Sequence, residues 1–82
     1  MYQVLISKRV AKQIEKIKDP DYSRIKKGIL DLAINPRPAG FKKLEGRAAY
    51  RIRQGNYRII YDIKDKIRIV DILDVGDRKE IY

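Results

Sequence analysis

The run of residues 50–63 constrains the fold of this chain more than any other segment. Aromatic and aliphatic residues alternate with polar ones along most of it, and Gln54-Gly55-Asn56 interrupts the pattern near its centre. Such alternation is typical of half-buried strands, and a short Gly- and Asn-containing turn joins neighbouring antiparallel strands. The segment therefore predicts a β-hairpin in which Ile52 faces the core, whereas Arg51 and Arg53 lie on the opposite, open side of the sheet.

Two helices are predicted before this hairpin. Apolar residues recur at helical spacing over residues 8–18, and Ser7 is placed to cap that helix. Asp19 and Pro20 then end the first helix and begin the second, with Asp19 as its cap and Pro20 at its first position. Asn35 stands before a proline and marks the end of the second helix. The very short connection predicts an antiparallel helical hairpin.

The remaining segments predict a loop and two further strands. Residues 37–49 are expected to form a loop, anchored by Phe41 and Leu44. Residues 2–6 predict a short strand beside residues 67–75, which are apolar on both faces and so predict a central strand. The predicted fold class is α+β, in which a helical hairpin packs on one face of a small, mainly antiparallel sheet. The element order is β-α-α-β-β-β, and a single domain over residues 1–82 is expected.

The absence of two residue types excludes several classes of chemistry. The chain has neither Cys nor His, so disulfides and thiolate–imidazole metal sites are excluded, and no metal or other cofactor is expected. Its only serines, Ser7 and Ser23, have no imidazole to activate them. No apolar run is long enough to cross a membrane, and no signal peptide is recognisable, so a cytoplasmic location without membrane contact is expected.

Positive charge is concentrated in one part of the chain. The net charge is +9, and residues 37–58 hold seven basic residues against one acidic residue, Glu45, or +6 of that total. Such a cluster on a small basic domain favours an anionic partner, because a phosphate accepts two hydrogen bonds from one guanidinium. Within the hairpin, Tyr50, Tyr57 and Tyr61 are interpreted as packing residues, with base stacking as the alternative. The basic residues are Arg37, Lys42, Lys43, Arg47, Arg51, Arg53 and Arg58.

Three sequence segments carry a resemblance to the RelE/ParE superfamily of bacterial and archaeal toxins. They are NPRPAGFKKLEG at 35–46, YRIRQGNYRIIYDI at 50–63 and ILDVGDRKEIY at 72–82. The resemblance covers essentially the whole chain, and its hairpin motif is specific for the superfamily but not for a branch within it. It implies a RelE-like fold and a toxin that a small cognate antitoxin neutralises.

The resemblance also implies functional residues and partners. RelE-type toxins cleave mRNA in the ribosomal A site, and their catalytic positions fall here on Arg51, Arg53, Arg58, Arg78 and Tyr82. The charge pattern, and not the resemblance, assigns an mRNA- or ribosome-binding role to three preceding basic residues, Lys42, Lys43 and Arg47. The implied partners are a RelB-like antitoxin, the ribosome and its mRNA, with operator DNA reached only through the antitoxin complex. The RelE pattern favours Lys where this chain has Arg51 and Arg53, and an arginine does not release its proton to act as a general base.

Two other functions are compatible with the same residues. ParE-type toxins share the scaffold but act on DNA gyrase and have no nuclease activity. The third candidate is a basic protein that binds nucleic acid without cleaving it. The presence of both Arg78 and Tyr82 favours the ribosome-dependent nuclease over the gyrase inhibitor.

Overall fold

Residues 1–77 are described by a computed structural model in which two helices pack against a five-stranded mixed sheet. The strand order is β1-β5-β4-β3-β2, and every pairing is antiparallel except that of β1 with β5. The predicted fold class is confirmed, and β5 is a central strand between β1 and β4, as the two-sided apolar pattern indicated. The elements are β1 (Gln3–Ile6), α1 (Lys8–Glu15), α2 (Asp21–Ile34), β2 (Lys42–Lys43), β3 (Tyr50–Gln54), β4 (Tyr57–Lys64) and β5 (Ile69–Asp77).

The helix boundaries follow their capping residues. The Ser7 hydroxyl accepts a hydrogen bond from the Val10 amide at 3.2 Å, which confirms its predicted capping role. Helix α1 ends at Glu15, earlier than predicted, so residues 16–18 belong to the connection. Helix α2 begins one residue after Pro20, but the Asp19 carboxylate still accepts from the Ser23 amide at 3.0 Å. Asp19 therefore supports the first turn from just outside the helix.

The segment predicted as a loop contains a strand. Residues 42–43 form β2, which pairs with β3 and occupies one edge of the sheet. Two residues are too few to show the alternation by which a strand is recognised in a sequence, so this part of the prediction was wrong. Within the same segment Phe41 is half-buried against the core, as its predicted anchoring role requires.

The core lies between the helices and one face of the sheet. Ile52, Ile59 and Tyr61 contribute to it from β3 and β4, so the hairpin register has the predicted orientation. In β5, Val70 and Val75 both contribute to the core, although strict alternation would place them on opposite faces. The pairing of β4 with β5 shifts by one residue near Tyr61, where β5 has one residue more than β4. This extra residue reverses the alternation along β5 and brings Val75 to the same face as Val70. Within residues 1–77, no helix is long and apolar enough to span a membrane.

Candidate functional site

The hairpin register brings three arginines to one side of the sheet. Arg53 is the direct cross-strand partner of Arg58, and Arg51 is the partner of Ile60. Directly opposed residues point to the same face, so all four side chains lie on the side away from the helices. Ile52 between the two β3 arginines is 6% exposed and belongs to the core. The predicted clustering of Arg51, Arg53 and Arg58 on one face is thus confirmed.

The predicted solvent exposure of this face is correct only for Arg53. Arg51 is 5% exposed and Arg58 is 8% exposed, so both guanidinium-bearing side chains are buried. Ile60 beside Arg51 is also buried, which shows that this side of the sheet is packed and not freely solvated. The alternation of the sequence predicted which face the arginines occupy, but it carried no information about what covers that face.

Burial leaves part of the Arg51 guanidinium without a hydrogen-bond acceptor. Its Nε atom is inaccessible to solvent and, in the part of the chain that the structure describes, has no hydrogen-bond partner. A buried polar donor without a partner typically costs about 1–3 kcal/mol, which a ligand that supplies an acceptor would recover. Arginine donates readily to phosphate oxygens, so the position is chemically suited to an anionic ligand.

Strand β2 adds an ammonium group to the same face. Lys42 lies directly opposite Arg51, whereas its neighbour Lys43 lies opposite Tyr50 and hence on the other face. Arg47 is exposed in the connection between β2 and β3. Of the three basic residues expected to bind RNA or the ribosome, the sheet therefore groups one, Lys42, with the arginines.

A cavity of about 380 Å³ lies along the edge of β3 next to this cluster. Strand β2 pairs with Tyr50 and Arg51, and within residues 1–77 the outer edge of residues 52–54 lies beside the cavity and not beside a strand. The Gln54 side chain packs against Gly28 of α2, where a Cβ atom in place of the glycine hydrogen would lie 2.7 Å from the Gln54 Nε2 atom. The lining residues that carry charge are Asp31, Lys42, Arg51 and Arg53.

The other predicted catalytic residues, Arg78 and Tyr82, lie outside the described residues. The three hairpin tyrosines, Tyr50, Tyr57 and Tyr61, pack in or against the core, as interpreted from the sequence. Tyr61 is fully buried and donates a hydrogen bond from its hydroxyl to the Pro36 carbonyl at 2.7 Å. Tyr50 contacts the ring of Tyr61, with 5.9 Å between the two centroids. Among residues 1–77, no group of three or more acidic side chains is placed to hold a metal ion.

Sequence reasoning missed the contribution of Lys42 to the arginine cluster. The signal was weak, because Lys42 and Lys43 are adjacent and only strand pairing separates them onto different faces. A two-residue strand near Gly and Pro cannot be recognised from alternation, so neither lysine could be assigned a face. The placement of Lys42 depends on the tertiary pairing of β2 with β3.

Comparison with known proteins identifies the scaffold that carries this cluster. A family model described as the ParE toxin of the type II toxin–antitoxin system parDE matches residues 4–82. The chain belongs to the RelE/ParE toxin superfamily. It is therefore a toxin domain of the type II toxin–antitoxin class. No curated protein sequence matches it significantly.

Solved structures of RelE toxins share the fold of this superfamily member. The archaeal RelE–RelB complex from Pyrococcus horikoshii OT3 contains a chain with 32% identity and a TM-score of 0.84, covering 96% of this chain and 97% of that one. The RelBE2 toxin–antitoxin complex from Mycobacterium tuberculosis contains a chain with 26% identity and a TM-score of 0.81, and the match covers 94% of this chain and 98% of that one. The isolated E. coli RelE toxin has 26% identity and a TM-score of 0.80, and the match covers 100% of this chain and 92% of that one.

Proposed function

We propose that this chain is a ribosome-dependent endoribonuclease toxin that cleaves mRNA in the ribosomal A site and so inhibits translation. The observation that carries the proposal is the gathering of Arg51, Arg53, Arg58 and Lys42 on one face of the sheet, with two of the arginines buried. The likeness to solved RelE toxins supports the same function. A cluster of this kind is complementary to the extra negative charge that develops when RNA is cleaved.

The proposed reaction uses the RNA itself as the nucleophile and requires no metal. The 2′-oxygen attacks the adjacent phosphorus, the bond to the 5′-oxygen breaks, and the products are a 2′,3′-cyclic phosphate and a 5′-hydroxyl. Arg58 would stabilise the phosphorane oxygens, with Arg78 as its proposed partner in this role. Arg51 and Arg53 would hold the RNA backbone in line for attack, and Tyr82 would stack on a base or donate a hydrogen bond. The need for a 2′-hydroxyl would exclude DNA as a substrate.

Dependence on the ribosome follows from the residue types of the proposed site. The chain has no His, so it lacks the side chain that most readily transfers protons near neutral pH. Orientation of the reacting groups can supply a large part of a barrier reduction, and the ribosome would supply it by ordering the mRNA. Lys43, on the other face of the sheet, and Arg47, in the connection between β2 and β3, would then contact ribosomal RNA through their charge.

A RelB-like antitoxin is the proposed regulatory partner. Several of the similar solved structures are RelE–RelB complexes, and the +6 charge of residues 37–58 is complementary to an acidic segment. Complementary charge accelerates encounter, so the association rate should fall as the salt concentration rises. An association rate that is the same at low and at physiological ionic strength would contradict this charge-based recognition. Operator DNA would be bound only through the antitoxin.

Inhibition of DNA gyrase is the second candidate, because the matching family model is described as a ParE toxin. The deciding experiment adds the purified chain to a cell-free translation reaction and maps mRNA ends, beside a gyrase supercoiling assay. We expect new mRNA ends within codons at the A site and unchanged supercoiling. Intact mRNA with inhibited supercoiling would support the gyrase function instead. Binding to RNA without either effect would leave a non-catalytic nucleic-acid-binding protein.

A further inference from the structure

The two consecutive lysines of β2 are both exposed but lie on opposite faces of the sheet. Lys42 is paired with Arg51 and shares the arginine face, whereas Lys43 is paired with Tyr50 on the helix-packed face. Lys42 and Arg51 also line the same cavity, together with Arg53. The structure therefore places the exposed Lys42 on the same face of the sheet as Arg51 and Arg53 and beside the same cavity.

Guanidinium and ammonium groups differ in what they can do for a reacting phosphate. A guanidinium keeps its proton, so Arg51 and Arg53 can neutralise charge but are poor proton donors. An ammonium is a compact charge that can give up a proton to a strongly basic oxygen. Asp31, the acidic residue among the described residues that line the cavity, is engaged by Lys27 at 3.0 Å on the surface of α2. Lys42 is thus the group in this cavity best suited to donate a proton.

We propose that Lys42 is the general acid that protonates the leaving 5′-oxygen. This inference rests on the proposed nuclease function. As the 2′-oxygen forms its bond to phosphorus, its own proton passes to water. As the bond between phosphorus and the 5′-oxygen breaks, that oxygen retains the electron pair and takes a proton from the Lys42 Nζ atom. Solvent then returns a proton to the neutral amine.

A sulfur-substituted substrate tests this role directly. When sulfur replaces the bridging 5′-oxygen at the scissile linkage, the leaving thiolate departs without needing a proton. On normal mRNA bound to ribosomes, Lys42→Arg and Lys42→Ala should each cleave about 100-fold more slowly than the parental protein, the lower end of what general acid catalysis contributes. On the sulfur-containing mRNA, Lys42→Arg should cleave at nearly the parental rate, because the leaving thiolate needs no proton and the arginine retains the positive charge.

The control is Lys66→Arg, an exposed lysine in the turn between β4 and β5, which should match the parental protein on both substrates. If Lys42→Arg cleaves normal mRNA at the parental rate, Lys42 contributes only charge and the inference is overturned. The same conclusion follows if the sulfur substrate fails to rescue Lys42→Arg, because the lost function is then binding or positioning. A parental protein that cleaves neither substrate overturns the proposed function as well, which distinguishes the two failures.

Discussion

Arg53 and Arg58 lie directly opposite one another across the β3–β4 hairpin, yet one is exposed and the other is buried. Two like charges at opposed positions destabilise a sheet. An anion bound at this face would reduce the repulsion between the two guanidiniums. The difference in burial also predicts that the two arginines contribute differently to the proposed reaction.

Replacing the buried arginine should mainly impair the chemical step. Arg58→Ala should lower the rate of cleavage at saturating ribosome concentration about 100-fold or more, because a desolvated guanidinium stabilises developing charge strongly. The measurement is a single-turnover time course on programmed ribosomes, with circular dichroism to establish that the variant is folded. Arg24→Ala, at an exposed position on α2, is the matched control and should cleave normally. Equal loss in both variants would indicate a general charge effect and no site.

Replacing the exposed arginine should mainly weaken binding. Arg53→Ala should raise the KM for programmed ribosomes about tenfold and lower kcat by no more than about tenfold, because a solvated cation mainly binds the RNA backbone and contributes less to its orientation than a buried one. The salt dependence of binding should also decrease, as one phosphate contact fewer is made. A fall in kcat as large as that of Arg58→Ala would show that exposure does not separate the two roles.

The stability of the fold at acidic pH should depend on Asp65. Its carboxylate accepts hydrogen bonds from Arg37 at 2.8 and 3.2 Å and from the Tyr2 hydroxyl at 2.6 Å. These hydrogen bonds, those from Arg37 first, lower the pKa of Asp65 from 3.8 to about 2. The folded-state pKa is below the ordinary value, so the stabilisation is present above pH 3.8 and is lost as the pH falls toward 2.

Urea unfolding across this pH range measures the effect. Asp65→Asn should unfold more easily than the parental protein at pH 6, and the difference should shrink as the pH approaches 2. Arg37→Gln should reduce the same pH dependence, because it removes the larger cause of the shift in the Asp65 pKa. A constant difference between Asp65→Asn and the parental protein at all pH values would contradict the prediction.

Loss of the Tyr61 hydroxyl should reduce stability at neutral pH and change its dependence at alkaline pH. Tyr61→Phe removes the hydrogen bond to Pro36 and should cost about 1 kcal/mol of the free energy of unfolding. Burial raises the pKa of Tyr61 from 10 to about 12, so its contribution is present below pH 10 and is lost as the pH rises toward 12. Denaturant unfolding should therefore show a shallower alkaline decline for Tyr61→Phe. Tyr22→Phe, at a partly exposed position, should change stability at neutral pH by less than about 0.5 kcal/mol.

The close contact between Gly28 and Gln54 predicts a coupled pair of substitutions. Alanine is favoured over glycine within a helix by about 1 kcal/mol, but here the added methyl group would collide with the Gln54 side chain. Gly28→Ala should therefore gain little stability by itself and about 1 kcal/mol in a Gln54→Ala background. A double-mutant cycle by thermal and urea unfolding measures the coupling. Additive effects of the two substitutions would show that Gln54 moves aside at no cost.

The elements of this fold were largely predictable because most of them have a local pattern. The alternation around Ile52 predicted the hairpin and its core face, and Ser7 predicted the start of α1 through its cap. Predictions were less accurate where boundaries depend on contacts. Strand β5 begins at Ile69, two residues later than predicted, because residues 65–68 form a turn in which Arg68 has a positive φ of 58°. A positive φ in a residue other than glycine is rare and leaves little trace in the sequence.

By itself, the sequence determined that three arginines share one face of a sheet, because side chains alternate along every strand. Tertiary structure alone decided that Arg51 and Arg58 are buried while Arg53 is exposed, since burial depends on what packs over a face. It also decided that β1 runs parallel to β5 and that Lys42 joins the arginines. Strand direction and the pairing of a two-residue strand are set by contacts between distant segments, and a local pattern of residues does not encode them.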